Sequence, residues 1–339
     1  MKVLEVTNVN EAVAVAIPYL LEYGEREESR NGTVIVAPTP VMTVYRSPLE
    51  RVLFSGTRDA NPFFHLMESL WMLAGRNDLG FPSYFNKKFE LYSDDGETVH
   101  GAYGHRWRKS FGYDQLEVLI QELKSNPASR RCVLAMWDPT PTAMNDLHKA
   151  MNGGKDVPCN THAYFDLRHS ELNMTICCRS NDVIWGAYGA NAVHMSFLQE
   201  YVAARLGVGV GVYRQFSNNF HAYTDTYDIE KLKMIASEAA NTNYYKEVSG
   251  GLTPYPLMTV HNSLWMEDLQ EFLSNPMGMR RYHDQFFNEV ASPMYHAWHN
   301  RKEKISNGEK EARQIRAADW RVACLQWIHR REAKEQHVA

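Results

Sequence analysis

The chain has 339 residues, of which 44% are apolar and 12% aromatic, enough for a sizeable core in one large domain or two. Its formal charge of −4 excludes a general electrostatic attraction to nucleic acid, so we expect no nucleic-acid partner, although a local arginine cluster could bind a small anion. Five cysteines without a C-x-x-C pair favour a reducing compartment, and the N-terminus shows neither a secretory-signal pattern nor an apolar run of membrane-spanning length.

The first part of the chain alternates helical and strand-like patterns. An asparagine-glycine pair predicts a turn at 29–33, and Gly75 follows a run of apolar residues at helical spacing as a C-cap. The apolar periodicities and the flanking prolines and glycines predict three helices and two strands. The helices are expected at 10–24, 63–74 and 114–127, and the strands at 33–37 and 130–139.

The second part begins with two β-prone runs. Residues 161–180 contain both runs, and a short polar turn between them predicts an antiparallel hairpin. A helix is predicted at 192–206, closed by Gly207. The glycine-rich stretch 207–216 resembles a phosphate-binding loop, but such a loop precedes its helix, whereas here the helix comes first. We therefore interpret this stretch as the start of a strand.

Beyond about residue 225 the sequence is largely helical, and we find no internal repeat and no low-complexity linker. Helices alternating with mixed strands predict an α+β fold: a mixed sheet with packed helices. We expect a single domain over 1–339 with a helical C-terminal extension over about 260–339. The basic residues of that extension fit a helix packed on the body or on a partner subunit better than they fit RNA binding.

Cys159 is the candidate nucleophile. It follows Pro158 at the predicted start of a strand, and Arg179 lies across the predicted hairpin from it. A cysteine reacts through its thiolate, which nearby positive charge stabilises. Without such context a lone cysteine is more often a small buried apolar residue. The neighbouring cysteines and histidines match no zinc-ligand spacing, so we expect no metal.

Seven short motifs in order resemble the thymidylate synthase family. Each motif alone is weak, but together they cover about residues 20–225 with family-like spacing. Within the family, the forms of the cysteine and arginine motifs look closer to phage deoxycytidylate hydroxymethylases and related nucleotide hydroxymethylases than to thymidylate synthases proper. The motifs are Arg30-Asn-Gly-Thr, Glu68-Ser-Leu-Trp-Met-Leu, Tyr103-Gly-His-Arg-Trp-Arg, Ser129-Arg-Arg, Pro158-Cys159, Arg179-Ser-Asn-Asp182 and His221-Ala-Tyr223.

The resemblance implies a chemistry that the residue types also support. Cys159 would add to C6 of a pyrimidine nucleoside 5′-monophosphate, so that C5 can take a one-carbon unit from methylenetetrahydrofolate. Glu68 would act as general acid/base, although the bland alternative is a glutamate on a helix surface. Tyr103 matches the active-site tyrosine of the family. Asp182 matches the aspartate that contacts the folate ring.

The resemblance also implies binding residues for the nucleotide. Arg179 and Ser180 would hold the 5′-phosphate with Arg30, and guanidinium groups suit phosphate oxygens. Arg130 and Arg131 would join them from the other subunit of a homodimer, which is the partner that the family implies. His221 and Tyr223 would hydrogen-bond the 3′-hydroxyl of the sugar.

The base-reading position departs from the family pattern. The uracil-reading asparagine of thymidylate synthases lies eleven positions after the phosphate-binding arginine, and here that position holds Ala190. Alanine offers no hydrogen bond to either base. Asn191 is next to it, and a one-residue shift could bring Asn191 into the site, although one step along a helix or strand redirects the side chain.

The final chemical step departs as well. In thymidylate synthases a tryptophan and a C-terminal tail shield the exocyclic methylene group for hydride transfer, whereas hydroxymethylases let water attack it. Here the tryptophan-like positions are Phe89 and Tyr92, of which Phe89 is our candidate for contact with folate. The chain also lacks the proline-rich ending of the family. Both changes fit a site that admits water.

The sequence therefore predicts a C5-hydroxymethyltransferase that uses methylenetetrahydrofolate. We expect a cytosine nucleotide, dCMP or CMP, as substrate because the uracil-reading asparagine is absent. The alternatives are dUMP hydroxymethylation, thymidylate synthesis from dUMP, and a silent relative that binds nucleotide or RNA. We expect a cytoplasmic protein, in the host cytoplasm if a phage encodes it.

Overall fold

A computed structural model describes residues 1–141, 145–246, 251–260, 262–278 and 280–338. The fold is α+β, as the sequence predicts, with helices packed on one mixed sheet. Its eight strands are β1 (Lys2–Val6), β2 (Glu25–Ser29), β3 (Gly32–Val36), β4 (Val41–Tyr45), β5 (Val133–Ala135), β6 (Asn160–Arg168), β7 (Glu171–Asp182) and β8 (Gly209–Tyr223).

Twelve α-helices are present in these described ranges. They are α1 (Val9–Tyr23), α2 (Pro62–Leu73), α3 (Gly80–Phe85), α4 (Tyr103–Arg108), α5 (Gln115–Ser125), α6 (Asp146–Met151), α7 (Ala192–Leu206), α8 (Ile229–Asn241), α9 (Asn262–Ser274), α10 (Ser292–Lys302), α11 (Glu309–Ala312) and α12 (Ala318–Val338). Short 3₁₀ segments occupy Lys87–Tyr92 and Tyr244–Lys246, and π-helical segments occupy Val183–Asn191 and Phe287–Ala291.

The main sheet follows the order β1-β4-β8-β7-β6-β5, and the β2–β3 hairpin joins it through β3 and β8. The predicted hairpin is β6 and β7, which pair antiparallel around His169 and Ser170. Both turn residues have positive φ, the geometry that suits the twist of a two-residue hairpin. In contrast, β7 and β8 are parallel, because the whole of α7 crosses between them.

Helix boundaries agree closely with the predictions. α2 has Asn61 as its N-cap, Pro62 in its first turn and Gly75 at positive φ beyond its end. α7 ends at Gly207 in the left-handed conformation. The strand predicted at 130–139 is shorter than expected, since only Val133–Ala135 pair with β6. The chain leaves the edge of the sheet after three residues.

The C-terminal extension packs on the start of α2. Trp298 of α10 and Trp327 of α12 both contact Phe63 at the start of α2. One hydrophobic core runs from Leu4 to Ile328. Among the described helices, none combines the length and apolar character needed to cross a bilayer.

Candidate active site

Cys159 lies just before β6, where three hydrogen bonds hold the backbone. The Tyr103 hydroxyl accepts the N–H groups of Cys159 and Asn160, each at 3.0 Å. The Cys159 carbonyl accepts the N–H of Arg179 from β7 at 2.8 Å. Tyr103 of α4 thus fixes the position of the candidate nucleophile through its backbone.

The charges around the Cys159 thiol oppose one another. Burial raises the pKa of Cys159 most, and the nearby Asp156 carboxylate raises it further. Arg179 and Arg30 act in the opposite direction and lower it. The net pKa lies above the ordinary value, so the thiol is protonated at neutral pH and must lose its proton when it attacks.

Glu68 is largely buried on α2, so the surface alternative is wrong. Its side chain is 12% exposed, and burial, followed by the charge of Asp156, raises the pKa of Glu68 to about 8. At neutral pH the carboxyl is therefore mostly uncharged. A carboxyl group with this pKa can both donate and accept a proton near neutral pH.

Asp156 is a site residue that the motifs did not single out. It lies three positions before Cys159, and its Oδ2 accepts the N–H of Gly101 at 2.6 Å. Burial raises its pKa, and its charge raises the pKa values of Glu68, Cys159 and Tyr103. The only sequence signal for this position was an acidic residue in the stretch before the nucleophile.

The arginine candidates fall into two groups. Arg179 donates to the carbonyl groups of Pro158 at 2.8 Å and Val157 at 3.0 Å, which holds its guanidinium beside Cys159. Arg30 lies in the β2–β3 turn, and like Arg179 it acts electrostatically on the thiol. Arg130 and Arg131 are exposed after α5 and have no such effect on Cys159.

None of these four arginines has a carboxylate partner within 4.0 Å among the described residues, so all remain available to an anion. Ser180 pairs with Asn219 in the parallel register of β7 and β8. Arg179, Ser180 and Arg30 are thus brought to one end of the sheet. A single chain does not add Arg130 and Arg131 to the thiol's surroundings.

Asp182 ends β7 opposite His221 of β8. Its Oδ1 caps the π-helical segment by accepting the N–H groups of Ile184 and Trp185, at 2.9 and 2.5 Å. Its Oδ2 is buried without a hydrogen-bond partner, and burial raises the pKa of Asp182. His221 Nδ1 lies 2.7 Å from Asn219 Oδ1, and the His221 and Tyr223 rings meet edge to face.

The π-helical segment Val183–Asn191 determines where Ala190 and Asn191 lie. A π-helix holds an extra residue per turn relative to an α-helix, so it absorbs one added position. Asn191 is buried, and its Oδ1 accepts a hydrogen bond of 2.8 Å from Nδ2 of Asn160, the residue after the nucleophile. Ala190 offers no polar side-chain group, whereas the Asn191 amide contacts the residue that follows the candidate nucleophile.

The asparagine network continues behind the pocket. Asn191 Nδ2 donates to Asn181 Oδ1 at 3.1 Å, and Asn181 Nδ2 donates to Ser217 Oγ at 2.9 Å. Asn160 Oδ1 is buried and has no partner. Buried polar atoms are nearly always hydrogen-bonded, so an open acceptor beside the nucleophile fits a ligand group or a water molecule.

The two aromatic candidates differ in position. Phe89 packs against Phe64 and Trp71, with ring centroids 5.8 and 6.3 Å away. Tyr92 is 51% exposed, and its pKa is raised by the partial burial of its hydroxyl and then by the charges of Asp156, Glu68 and Cys159. Tyr92 therefore lies at the mouth of the site, whereas Phe89 supports it from the core side, their rings 6.1 Å apart.

Three basic residues of α12 are engaged within the chain. Arg330 and Arg331 pair with Asp59, at 3.1 and 2.7 Å, and Lys334 approaches the same carboxylate at 3.4 Å. Asp59 lies just before α2, so these pairs tie α12 to the segment that leads into the helix of Glu68. The interpretation of the extension as a helix packed on the body is confirmed.

Comparison with known proteins agrees with this site. The family model described as Thymidylate synthase matches residues 15–246. The chain is 47% identical to the deoxyuridylate hydroxymethyltransferase of Pseudomonas phage M6, covering 98% of this chain and 95% of that protein. It is 36% identical to the protein of the same name from Bacillus phage SP01, over 71% of this chain and 64% of that one. A putative thymidylate synthase of Methanothermobacter thermautotrophicus is 36% identical over 40% of this chain and 60% of its own length.

Proposed function

The chain belongs to the thymidylate synthase family and is a one-carbon transferase, and from this we propose that it hydroxymethylates C5 of dUMP with methylenetetrahydrofolate as donor. Two relatives that carry the name deoxyuridylate hydroxymethyltransferase support the reaction and the base. The prediction of a cytosine nucleotide is not supported, because both relatives are named for deoxyuridylate. In our proposal Asn191 supplies the amide whose absence suggested cytosine.

The observation that carries the proposal is the position of Asn191 beside Asn160 and Cys159. A carboxamide presents one donor and one acceptor side by side, which matches O4 and N3–H of uracil. Asn191 is held on both sides by Asn160 and Asn181, so its amide is oriented before the base arrives. An amide fixed in advance loses little side-chain entropy on binding.

Residues of this chain then perform the steps around the base. The Cys159 sulfur adds to C6, which makes C5 nucleophilic enough to take the one-carbon unit that methylenetetrahydrofolate supplies. Glu68, with a pKa of about 8, exchanges protons with the pyrimidine ring and its water molecules. The ring then loses its C5 proton and releases tetrahydrofolate, which leaves an exocyclic methylene group on C5. Water adds to this group, and the sulfur leaves C6 as a thiolate.

The folate donor fits the residues opposite the base. Asp182 Oδ2 is a buried acceptor without a partner, and it suits an N–H group of the folate ring. Tyr92 offers an exposed aromatic face next to Glu68 and Cys159. We assign ring contact to Tyr92 and a supporting role to Phe89.

A homodimer would complete the phosphate site. Arg179 and Arg30 lie near Cys159, whereas Arg130 and Arg131 are exposed without a carboxylate partner in the described part of the chain. Val133 and Tyr164 pair across β5 and β6 and are 48% and 47% exposed, so a partner has apolar surface to cover. In our proposal a second copy brings its Arg130 and Arg131 to the dUMP phosphate.

Product masses test the proposal directly. The protein is incubated with methylenetetrahydrofolate and, separately, dUMP, dCMP, UMP or CMP, and Cys159→Ser serves as the inactive control. We expect dUMP to gain CH2O without release of dihydrofolate. A gain of CH2 with dihydrofolate would assign thymidylate synthesis instead, turnover of dCMP or CMP alone would restore the cytosine prediction, and no turnover at all would favour a silent relative.

A further inference from the structure

His194 and Glu68 meet inside the protein although they are 126 positions apart in the chain. Glu68 lies on α2 and His194 in the first turn of α7, and these helices pack against each other. His194 Nε2 is 3.3 Å from Glu68 Oε2, and the two side chains are only 4% and 12% exposed. Neither the motifs nor the periodicity of the sequence pointed to this histidine.

The hydrogen-bonding state of the His194 ring follows from its two nitrogen atoms. One hydrogen bond links the His194 ring to the backbone of His65, and this bond raises the pKa of the ring. A backbone carbonyl that accepts a ring N–H has this effect, because it stabilises the protonated ring. Nε2 is buried and has no hydrogen-bond partner, so the bond to His65 belongs to Nδ1. The proton of the neutral ring is then on Nδ1, and Nε2 carries a lone pair 3.3 Å from Glu68 Oε2.

Both members of the pair are uncharged at neutral pH. Burial lowers the pKa of His194 to about 3 and raises that of Glu68 to about 8. An ion pair at this place would have to overcome two large desolvation costs. A neutral carboxyl group has an O–H donor, and the lone pair on Nε2 is an acceptor without a donor.

We propose that His194 is a positioning residue, which accepts the hydrogen of the neutral Glu68 carboxyl at Nε2. The hydrogen bond fixes the rotation of the carboxyl and directs its other oxygen toward the nucleotide pocket. This inference rests on the acid/base role proposed for Glu68. Beyond that role, it identifies His194 as the group that orients the Glu68 carboxyl and determines which of its oxygens carries the proton.

The charged and titratable groups facing the pair act in the same direction. Asp156 faces Glu68 and disfavours its ionisation. His65 lies next to His194, with ring centroids 6.1 Å apart, and burial, His194 and Arg58 all lower the pKa of His65. The negative charge of Asp156 opposes ionisation of Glu68, and burial opposes a positive charge on His194 and on His65. Both members of the pair therefore stay neutral near neutral pH.

Two substitutions of His194 separate its nitrogen atoms. Glutamine places a polar group near the position of Nε2 and can still accept from Glu68, whereas asparagine reaches only the position of Nδ1. Infrared difference spectra against Glu68→Gln, recorded without nucleotide or folate, isolate the protonated carboxyl of Glu68. His296→Asn is the matched control, because His296 also has an unpartnered Nε2 and a pKa lowered by burial, but lies on α10.

We expect the wild-type protein at pH 7 to show a hydrogen-bonded carboxylic acid band. In His194→Gln the band should persist. In His194→Asn it should move to the position of a weakly bonded acid and titrate at lower pH, because the neutral form has lost its acceptor. Turnover of dUMP should fall in kcat roughly 10- to 100-fold with little change in the KM for dUMP.

The proposal is overturned by the absence of a protonated Glu68 band in the wild-type protein at pH 7, or by an unchanged band in His194→Asn. The wild-type spectrum alone tests whether the Glu68 carboxyl is protonated at pH 7, which the proposed hydrogen bond requires. The proposal can therefore be overturned even if a variant folds poorly. Failure of the proposed function looks different: the band and its response to His194→Asn would be intact, and no hydroxymethylated product would form.

Discussion

Asn191 Oδ1 accepts a hydrogen bond of 2.8 Å from Nδ2 of Asn160, the residue that follows the proposed nucleophile Cys159. The two amides are 31 positions apart and come from different elements, the start of β6 and the end of the π-helical segment. Their contact places the amide that we propose reads the base one position later than the family spacing predicts.

Substitution of Asn191 should change the preferred base. Asn191→Asp replaces the N–H donor to uracil O4 by a carboxylate, which can instead accept from the amino group of cytosine. We expect kcat/KM for dUMP to fall by roughly 5- to 150-fold, which is the cost of one unsatisfied buried polar group. The ratio of kcat/KM for dCMP to that for dUMP should rise. Ala190→Ser is the control, and an equal loss there would mean that Ala190 also contacts the base.

Loss of the nucleophile should stop turnover but not binding. In Cys159→Ser the hydroxyl is a far weaker nucleophile, so kcat should fall by more than ~10³-fold while dUMP still binds. Product formation after fixed reaction times measures kcat, and titration calorimetry measures the affinity for dUMP. Cys177→Ser, a cysteine in the middle of β7, is the matched control and should keep full activity.

Glu68 should make the protein less stable as pH rises. Its pKa is about 8 in the folded protein against 4.5 ordinarily, so between these values the folded state holds a proton that the unfolded state has released. The free energy of unfolding should fall by up to roughly 1.4 kcal/mol per pH unit across this window because of this group. Glu68→Gln should remove this slope, so that the variant is more stable than wild type at pH 8 and similar at pH 4.5, although inactive. Denaturant titrations of both proteins at both pH values measure this. The same difference in free energy of unfolding between wild type and variant at pH 4.5 and pH 8 would contradict a raised pKa for Glu68.

Two inactive variants should restore each other if subunits share the phosphate site. A mixture of Cys159→Ser with the double variant Arg130→Ala/Arg131→Ala forms heterodimers in which one site has both an intact cysteine and intact arginines from its partner. We expect dUMP hydroxymethylation to reappear after the subunits are exchanged. Arginines acting within their own chain would leave the mixture inactive.

Phe89 and Tyr92 should separate into a stabilising residue and a ligand-binding residue. Phe89→Ala removes contacts with Phe64 and Trp71, and should lower the free energy of unfolding by about 2–4 kcal/mol. Tyr92→Ala at the exposed mouth should leave stability nearly unchanged and raise the KM for methylenetetrahydrofolate. The reverse pattern would return the folate contact to Phe89.

Local patterns in the sequence were sufficient to predict much of the fold. α2, α7 and the β6–β7 hairpin have strong periodicity and clear end signals, Gly75, Gly207 and a polar turn. The α+β class followed from the order of these elements. The single-domain organisation over 1–339 stays a prediction.

Long-range pairing could not be predicted from those patterns. β1 and β4 are five-residue strands whose parallel pairing joins residues 39 positions apart, and neither strand has a distinctive local signal. His194 and Glu68 meet only because two distant helices pack together. Of the site, the motifs supplied Cys159, Glu68 and Asp182, but not Asp156 or the contact partners of Glu68.

The π-helical segment sets the position of more than one functional side chain. Asn191 closes this segment, and His194 follows it by three residues, almost one helical turn, so both project from the same side of one rigid unit. Deleting a single codon between 183 and 190 would turn that unit by about 100° relative to the strand before it. An in-frame loss of one residue would therefore displace the Asn191 amide, which we propose reads the base, together with His194, the partner of Glu68. This segment should tolerate side-chain substitutions far better than any change in its length.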